Sequence, residues 1–277
     1  MTGAVRAVVR AVVRVAVRAC VAGGVVVALL AGTPPSIQGQ GPQAGTAYRA
    51  PRTPDGQPDL QGIWQAVNTA VWNIQDHSAQ LGVPAGQGIV EGNELPYLPS
   101  ALAKRQENYK SRLVEDPEAK CFMVGVPRIN YMPYPFQIVQ TASQINLLYE
   151  YVHTVRSVRL NSPHPEGPIE WWMGDSRGRW EGETLVVDVV HFTDQTWFDR
   201  SGNYHSDALH VVERYTPLDQ NRLNYQVTIE DPKVFTRPWN MSMVLNRHTE
   251  KNFRLMEFGC AGFKLEKYYP YPELSDQ

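Results

Sequence analysis

Between Glu170 and Thr216 the chain reads EWWMGDSRGRWEGETLVVDVVHFTDQTWFDRSGNYHSDALHVVERYT. Alternating β-type runs and tight-turn dipeptides share this stretch with four tryptophans (Trp171, Trp172, Trp180, Trp197) and three histidines (His191, His205, His210). Strands that carry aromatic and titratable groups usually line something. The segment therefore predicts a β-barrel or curled sheet around an aromatic cavity dotted with polar groups.

The same texture extends on both sides. Phe136–Thr141 and Ile145–Asn161 read as a hairpin around residues 142–144, and Trp171–Ser176 and Thr184–Phe192 flank the turn-rich RGRWEGE. His210–Thr216 and Arg222–Glu230 flank PLDQN, a reversal marked by Pro217 and Asn221, and Met241–Arg247 and Phe253–Gly259 flank HTEKN. With Gly62–Gln65 this gives about nine strands, and such close spacing suggests a sandwich or barrel. Pro99–Val114 is the one predicted helix, with Ser100 as its cap and a charged outer face.

Alternation assigns faces. Leu147, Tyr149, Tyr151, His153 and Val155 fall on one side of the long arm, with Leu148, Glu150, Val152, Thr154 and Arg156 opposite. Both sides are mixed, which fits a barrel with a partly polar interior or a sheet covered on both faces.

With 277 residues, the chain can hold one large all-β domain or two small ones. Its 21 prolines and 21 glycines favour turns over a helical bundle. Residues 1–32 differ from the rest: Arg6, Arg10, Arg14 and Arg18 precede the apolar run Ala19–Gly32, and no acid occurs before Asp55. That order predicts a secretory leader, too short in its apolar part for a stable membrane span after processing. Residues 33–58 are rich in Pro, Gly and Gln and read as a linker, followed by a barrel domain over 59–269 and a tail over 270–277. Without the leader, Lys plus Arg drops from 26 to 22 against 28 acids, a balance near −6 that argues against nucleic acid as a partner. Cys121 and Cys260 then remain, and an even pair in an exported chain without CxxC predicts a disulfide.

Gly62-Ile63-Trp64 resembles the GxW signature of lipocalin-like barrels, in which the Trp plugs one end of the barrel and the Gly admits a tight approach. RTPDGQPDLQGIW, EDPEAKCFMVGVPR, MGDSRGRWEGETLVVD, HSDALHVVERY and TIEDPKVFTRPW together resemble an abundant, uncharacterised family of exported bacterial proteins, over roughly residues 52–260. The resemblance implies export and a lipocalin-like antiparallel β-barrel with one N-terminal helix. It supplies no catalytic residues.

The candidate chemistry comes from the residues. His205, His210 and His153, with Asp175 or Glu213, are the acid/base candidates, since a His beside a carboxylate moves protons near neutral pH. On an extended strand His210 and Glu213 face opposite ways, so only a bulge would bring both into one cavity. For Asp175 the turn reading, a Gly-Asp-Ser turn whose Asp bonds its own backbone, outweighs the catalytic one. Tyr149, Tyr151, Trp171, Trp172, Trp197, Trp239 and His191 are candidates to hold a small apolar or aromatic ligand, against the alternative that they are ordinary core. Such a barrel would bind its ligand in an internal cavity, with or without cofactor-free lyase, isomerase or hydratase chemistry. Five histidines (His153, His164, His191, His205, His210) leave open a metal-dependent hydrolase or oxygenase, though no HxH or HExxH spacing occurs. A non-enzymatic envelope interaction protein is the third class. No Gly-rich phosphate loop or dinucleotide fingerprint is present, so no cofactor is expected.

Overall fold

The β-type runs close on themselves. A computed structural model describes residues 48–80 and 82–259, and within them nine strands form one closed barrel in sequence order. They are β1 (Gly62–Ala66), β2 (Phe136–Gln140), β3 (Gln144–Tyr149), β4 (Val155–Leu160), β5 (Asp175–Glu181), β6 (Thr184–Val190), β7 (His210–Pro217), β8 (Arg222–Glu230) and β9 (Trp239–Arg247). Neighbours are antiparallel except β4 and β5, which run parallel with Val158 opposite Ser176. That single parallel pair has a topological role. Nine strands that simply alternated in direction would leave β1 and β9 parallel. One parallel pair restores the parity, and β9 closes on β1 antiparallel with Trp64 opposite Arg247. The chain pays for it with a long crossover over residues 161–174.

Most predicted strands are present, and three differences are informative. Ile145–Asn161 is not one arm: a 310 turn at Tyr151–His153, with Val152 and His153 at φ 45° and 52°, folds it into β3 and β4. The turn shifts the alternation, so Tyr149 and Arg156 point inward while Val155 is exposed. RGRWE is strand rather than turn; the reversal is the two-residue Gly182-Glu183, with Gly182 at φ 63° in the position where a hairpin favours glycine. Phe253–Gly259 forms no strand, and the count of nine is reached through the split arm.

The predicted helix is α1 (Pro99–Glu115). Ser100 does not cap it: Leu98 holds the N-cap position without a side-chain bond, and Pro99 opens the first turn, where its missing N–H costs nothing. Residues 48–58, read as linker, lie against the barrel. The Ala50 amide and the Arg52 guanidinium both donate to Glu183 in the β5–β6 turn. The predicted leader and tail lie outside the described residues, as does Cys260.

Trp64 is fully buried, donates from Nε1 to Leu60 O at 2.9 Å and lies 4.2 Å beneath the Arg247 guanidinium. Gly62 sits at φ 137°, and any side chain there would collide with Arg247. Gly62, Trp64 and Arg247 thus pack as one unit at the start of β1.

Candidate functional site

Inward positions of the barrel are filled by the protein's own side chains. Val211, Tyr215, Leu223, Tyr225, Val227, Phe136 and Leu147 are buried there, and so is an ion pair, Arg156–Glu213, with side-chain exposures of 2% and 0%. The 310 turn Arg128–Tyr131, buried at every residue, brings Asn130 to the centre of the network. Asn130 Nδ2 donates to Glu213 Oε1 (3.0 Å) and Tyr225 OH (2.8 Å), and the Tyr149 hydroxyl donates to Asn130 Oδ1 at 2.6 Å. Tyr215 and Tyr225 donate to Glu213 at 3.1 and 2.6 Å, and Arg156 Nε donates to Ser176 Oγ at 2.9 Å. Burial, with Glu213 beside them, pushes both tyrosines well above their ordinary range. Every polar group of this centre that a ligand could contact already has a partner. It is a satisfied polar core.

The acid/base candidates consequently separate. Glu213 belongs to the barrel centre. His210 faces outward from the same strand, as period-two geometry requires. His205 is fully buried in the loop before β7, between Thr196 Oγ1 (2.6 Å from Nε2) and Ser206 O (2.9 Å from Nδ1). Burial holds its pKa below the usual value, so the ring is neutral: Nδ1–H donates to the carbonyl and Nε2 accepts from the hydroxyl. With Phe192 and Phe198 around it, His205 pins the loop, and both of its ring hydrogen bonds go to groups other than carboxylates. His153 is exposed in the 310 turn between β3 and β4.

Asp175 does meet histidine, on the outer wall. His164, carried by the crossover, places Nδ1 2.6 Å from Asp175 Oδ2 and Nε2 2.8 Å from Asp188 Oδ1. His210 Nε2 lies 2.9 Å from Asp188 Oδ2, and Arg177 grips Asp175 with Nε and Nη2 at 2.6 and 2.8 Å. For both aspartates partial burial alone would raise the pKa. The hydrogen bonds from Arg177 and His164 to Asp175, and from His210 and His164 to Asp188, outweigh it and hold both below the ordinary carboxylate range. The cluster clasps the crossover to β5–β7. Among the described residues no group of three His, Cys, Asp or Glu converges to hold a metal ion. The five histidines therefore do not assemble as a three-ligand centre.

The aromatic candidates scatter in the same way. Tyr149 lies in the barrel centre, and Trp171 is 38% exposed on the outer wall with its ring 6.0 Å from that of His191. Trp172 packs edge-on against Phe122 at 5.4 Å. Trp239 packs between Phe198 and Phe235 at 5.5 and 5.4 Å, and Trp197 is buried where its backbone pairs with Tyr204. The remaining candidate, Tyr151, lines a different space.

That space is a cavity of about 1360 Å³ on the flank of the barrel, and no strand residue lines it. One wall is α1, where Arg105, Tyr109 and Arg112 recur at i, i+4 and i+7 and share a face. Tyr134, Tyr151 and Phe258 form an aromatic floor, with the Tyr134 ring 4.9 Å from Phe258 and 5.7 Å from Tyr151. Trp72 and His77 come from the loop after β1, and Arg200 and Ser201 from the loop before β7.

The polar anchors behind these walls are specific. Fully buried Asp199 accepts from the Ile74 amide (2.9 Å) and the Ser201 amide (2.8 Å), tying the two loop walls together, and burial pushes its pKa up. Gly202 sits at φ 79° against Asn108 of α1, and a Cβ there would fall 2.7 Å from the Tyr109 amide nitrogen. Asn108 Nδ2 donates to Gly202 O at 3.3 Å and so sets the helix against the loop. Arg200 lies 4.0 Å over the Trp72 ring while pairing with Glu118, which also accepts from buried Arg128 at 2.7 Å. Burial alone would raise the Glu118 pKa, but Arg200 and Arg128 hold it below the usual range.

The helix wall carried a readable signal, an aromatic flanked by two arginines on one face. Trp72, Arg200 and Phe258 carried none, since loops far apart in sequence bring them together. No protein-family model, curated protein or solved structure matches the chain.

Proposed function

We propose that this protein is an exported, lipocalin-like binding barrel that takes a small, mainly apolar or aromatic molecule without transforming it. The binding place is the flank cavity rather than the barrel interior. The observation that carries this reading is a space of about 1360 Å³ lined by Trp72, Tyr109, Tyr134, Tyr151 and Phe258. That is room for a drug-sized molecule, with flat aromatic surfaces beside charged and polar side chains that could orient it. Binding without turnover is favoured because the close His–carboxylate contacts, at 2.6, 2.8 and 2.9 Å, lie on the outer wall. Inside the cavity the acids Asp116 and Glu118 are engaged by Arg128 and Arg200. The basic, apolar order of residues 1–32 supports export to an oxidising compartment.

The test is titration of the mature protein with the neutral dye N-phenyl-1-naphthylamine, followed by dye fluorescence and by quenching of Trp72. Saturable binding at one site, lost in Ala119→Trp (which places an indole in the cavity) at unchanged melting temperature, supports the reading. Absence of saturable binding, or binding indifferent to Ala119→Trp, sinks it.

A further inference from the structure

The cavity's charges are not balanced. Of the three arginines that line it, Arg200 is paired with Glu118. Arg105 and Arg112 have no carboxylate partner among the described residues. Arg105 Nε donates to Asn203 Oδ1 at 3.3 Å and Arg112 Nη1 to Tyr109 O at 2.7 Å. A guanidinium has five N–H donors, so each arginine keeps most of its donors unengaged by protein.

Both cations lean on one ring, the guanidinium carbons lying 4.1 Å (Arg112) and 5.8 Å (Arg105) from the Tyr109 centroid. Stacking of this kind holds the planar groups in place and limits their loss of freedom on binding. The two acids in the lining, Asp116 and Glu118, are used up by Arg128 and Arg200, so they do not offset Arg105 and Arg112. In a chain of net charge −2, this wall is locally positive.

We infer that the ligand is a small aromatic anion, its ring laid among Trp72, Tyr134 and Phe258 and its carboxylate or sulfonate met by Arg105 and Arg112. This rests on the binding reading above and narrows it to a chemical class. An anionic group there gains charge-assisted hydrogen bonds from preset, planar donors. A neutral ligand would leave two partly buried cations facing an apolar body, and a cationic one would be repelled.

The test compares two dyes that share a ring system: 8-anilinonaphthalene-1-sulfonate, which carries the anion, and N-phenyl-1-naphthylamine, which lacks it. In the full-length mature protein the sulfonate should bind at least about tenfold more tightly, and that preference should fall as salt is raised. Arg105→Gln/Arg112→Gln should abolish the preference while leaving the affinity for the neutral dye within about twofold. Retained binding of the neutral dye also shows that the double variant is folded. Equal affinity for both dyes, or a preference that survives the double substitution, overturns the anion inference and leaves the cavity reading standing. A cavity already filled by another part of the chain gives no signal with either dye, and overturns both.

Discussion

Arg156→Met tests the claim that the barrel is centred on a satisfied ion pair. Methionine keeps most of the side-chain length and removes the charge. Glu213, 0% exposed in its side chain, then loses both guanidinium bonds and keeps only the neutral donors of Asn130, Tyr215 and Tyr225. Breaking one half of a buried pair typically costs about 3–5 kcal/mol, because the other half stays buried without compensation. For a domain of this size each kcal/mol lowers the melting temperature by about 2–4 °C, so the expected drop is on the order of 6–20 °C. Arg156→Met/Glu213→Gln removes both charges and keeps an acceptor for the tyrosine hydroxyls. It should lie within about 2 kcal/mol of the parent, since a buried pair itself contributes little net stability. Urea unfolding followed by tryptophan fluorescence and far-ultraviolet dichroism gives both values, with an unchanged denaturant slope as the check on two-state behaviour. The reasoning is refuted by a cost below about 1 kcal/mol for Arg156→Met, or by a double variant no more stable than the single one.

Three further outcomes follow from the geometry. Asp175 and Asp188 are held below the ordinary carboxylate range, so their contribution to stability is fully present above an unfolded pKa of about 4 and is lost as pH falls through the lower folded values. His164→Ala removes a hydrogen bond from each, and should move acid unfolding to higher pH while leaving dye binding in the cavity unchanged; an unmoved acid transition refutes the clasp. Gly62→Ala places a methyl group against Arg247 at a backbone angle that favours glycine, and should cost about 1–3 kcal/mol with a shift in tryptophan emission. With the predicted leader removed, Cys121 and Cys260 are an even pair, and the sequence predicts a bridge between them. The mature protein should then show no free thiol until reduced and gain 2 Da on reduction, with a stability loss of about 4–5 kcal/mol for a loop this long; titratable thiols in the native protein argue against it.

The barrel was legible where strands are buried on one side and closed by marked turns. β7 and β8 alternate cleanly, with Val211, Glu213 and Tyr215 facing Leu223, Tyr225 and Val227 inside, and Pro217 and Asn221 mark the reversal. It was not legible at Tyr151–His153, where the backbone reverses at Val152 and His153, residues that carry no turn signal. That unmarked turn changes the phase of one strand and brings Arg156, set opposite Tyr149 by simple alternation, to the same inward side as Tyr149. The mixed polarity of both faces did carry information: the interior is partly polar, as that mixture suggested.

The histidines misled for a related reason. A titratable residue in a β-rich segment signals a polar environment without saying which side of the sheet supplies it. His210 and Glu213 are three residues apart on one strand, and that spacing alone sends one to the outer clasp and the other to the barrel core. Once Glu213, Arg156 and Asn130 occupy the centre, with three tyrosine hydroxyls around them, a ligand there would have to displace a satisfied network and leave buried groups unpaired, at about 1–3 kcal/mol for each. The flank asks for no such displacement. Its walls are loops and a helix rather than strands, and the cations of the helix wall still have donors to offer. A ligand would therefore displace less on the flank than in the barrel centre, and the helix face Arg105–Tyr109–Arg112 is the part of that wall that sequence periodicity alone can reveal.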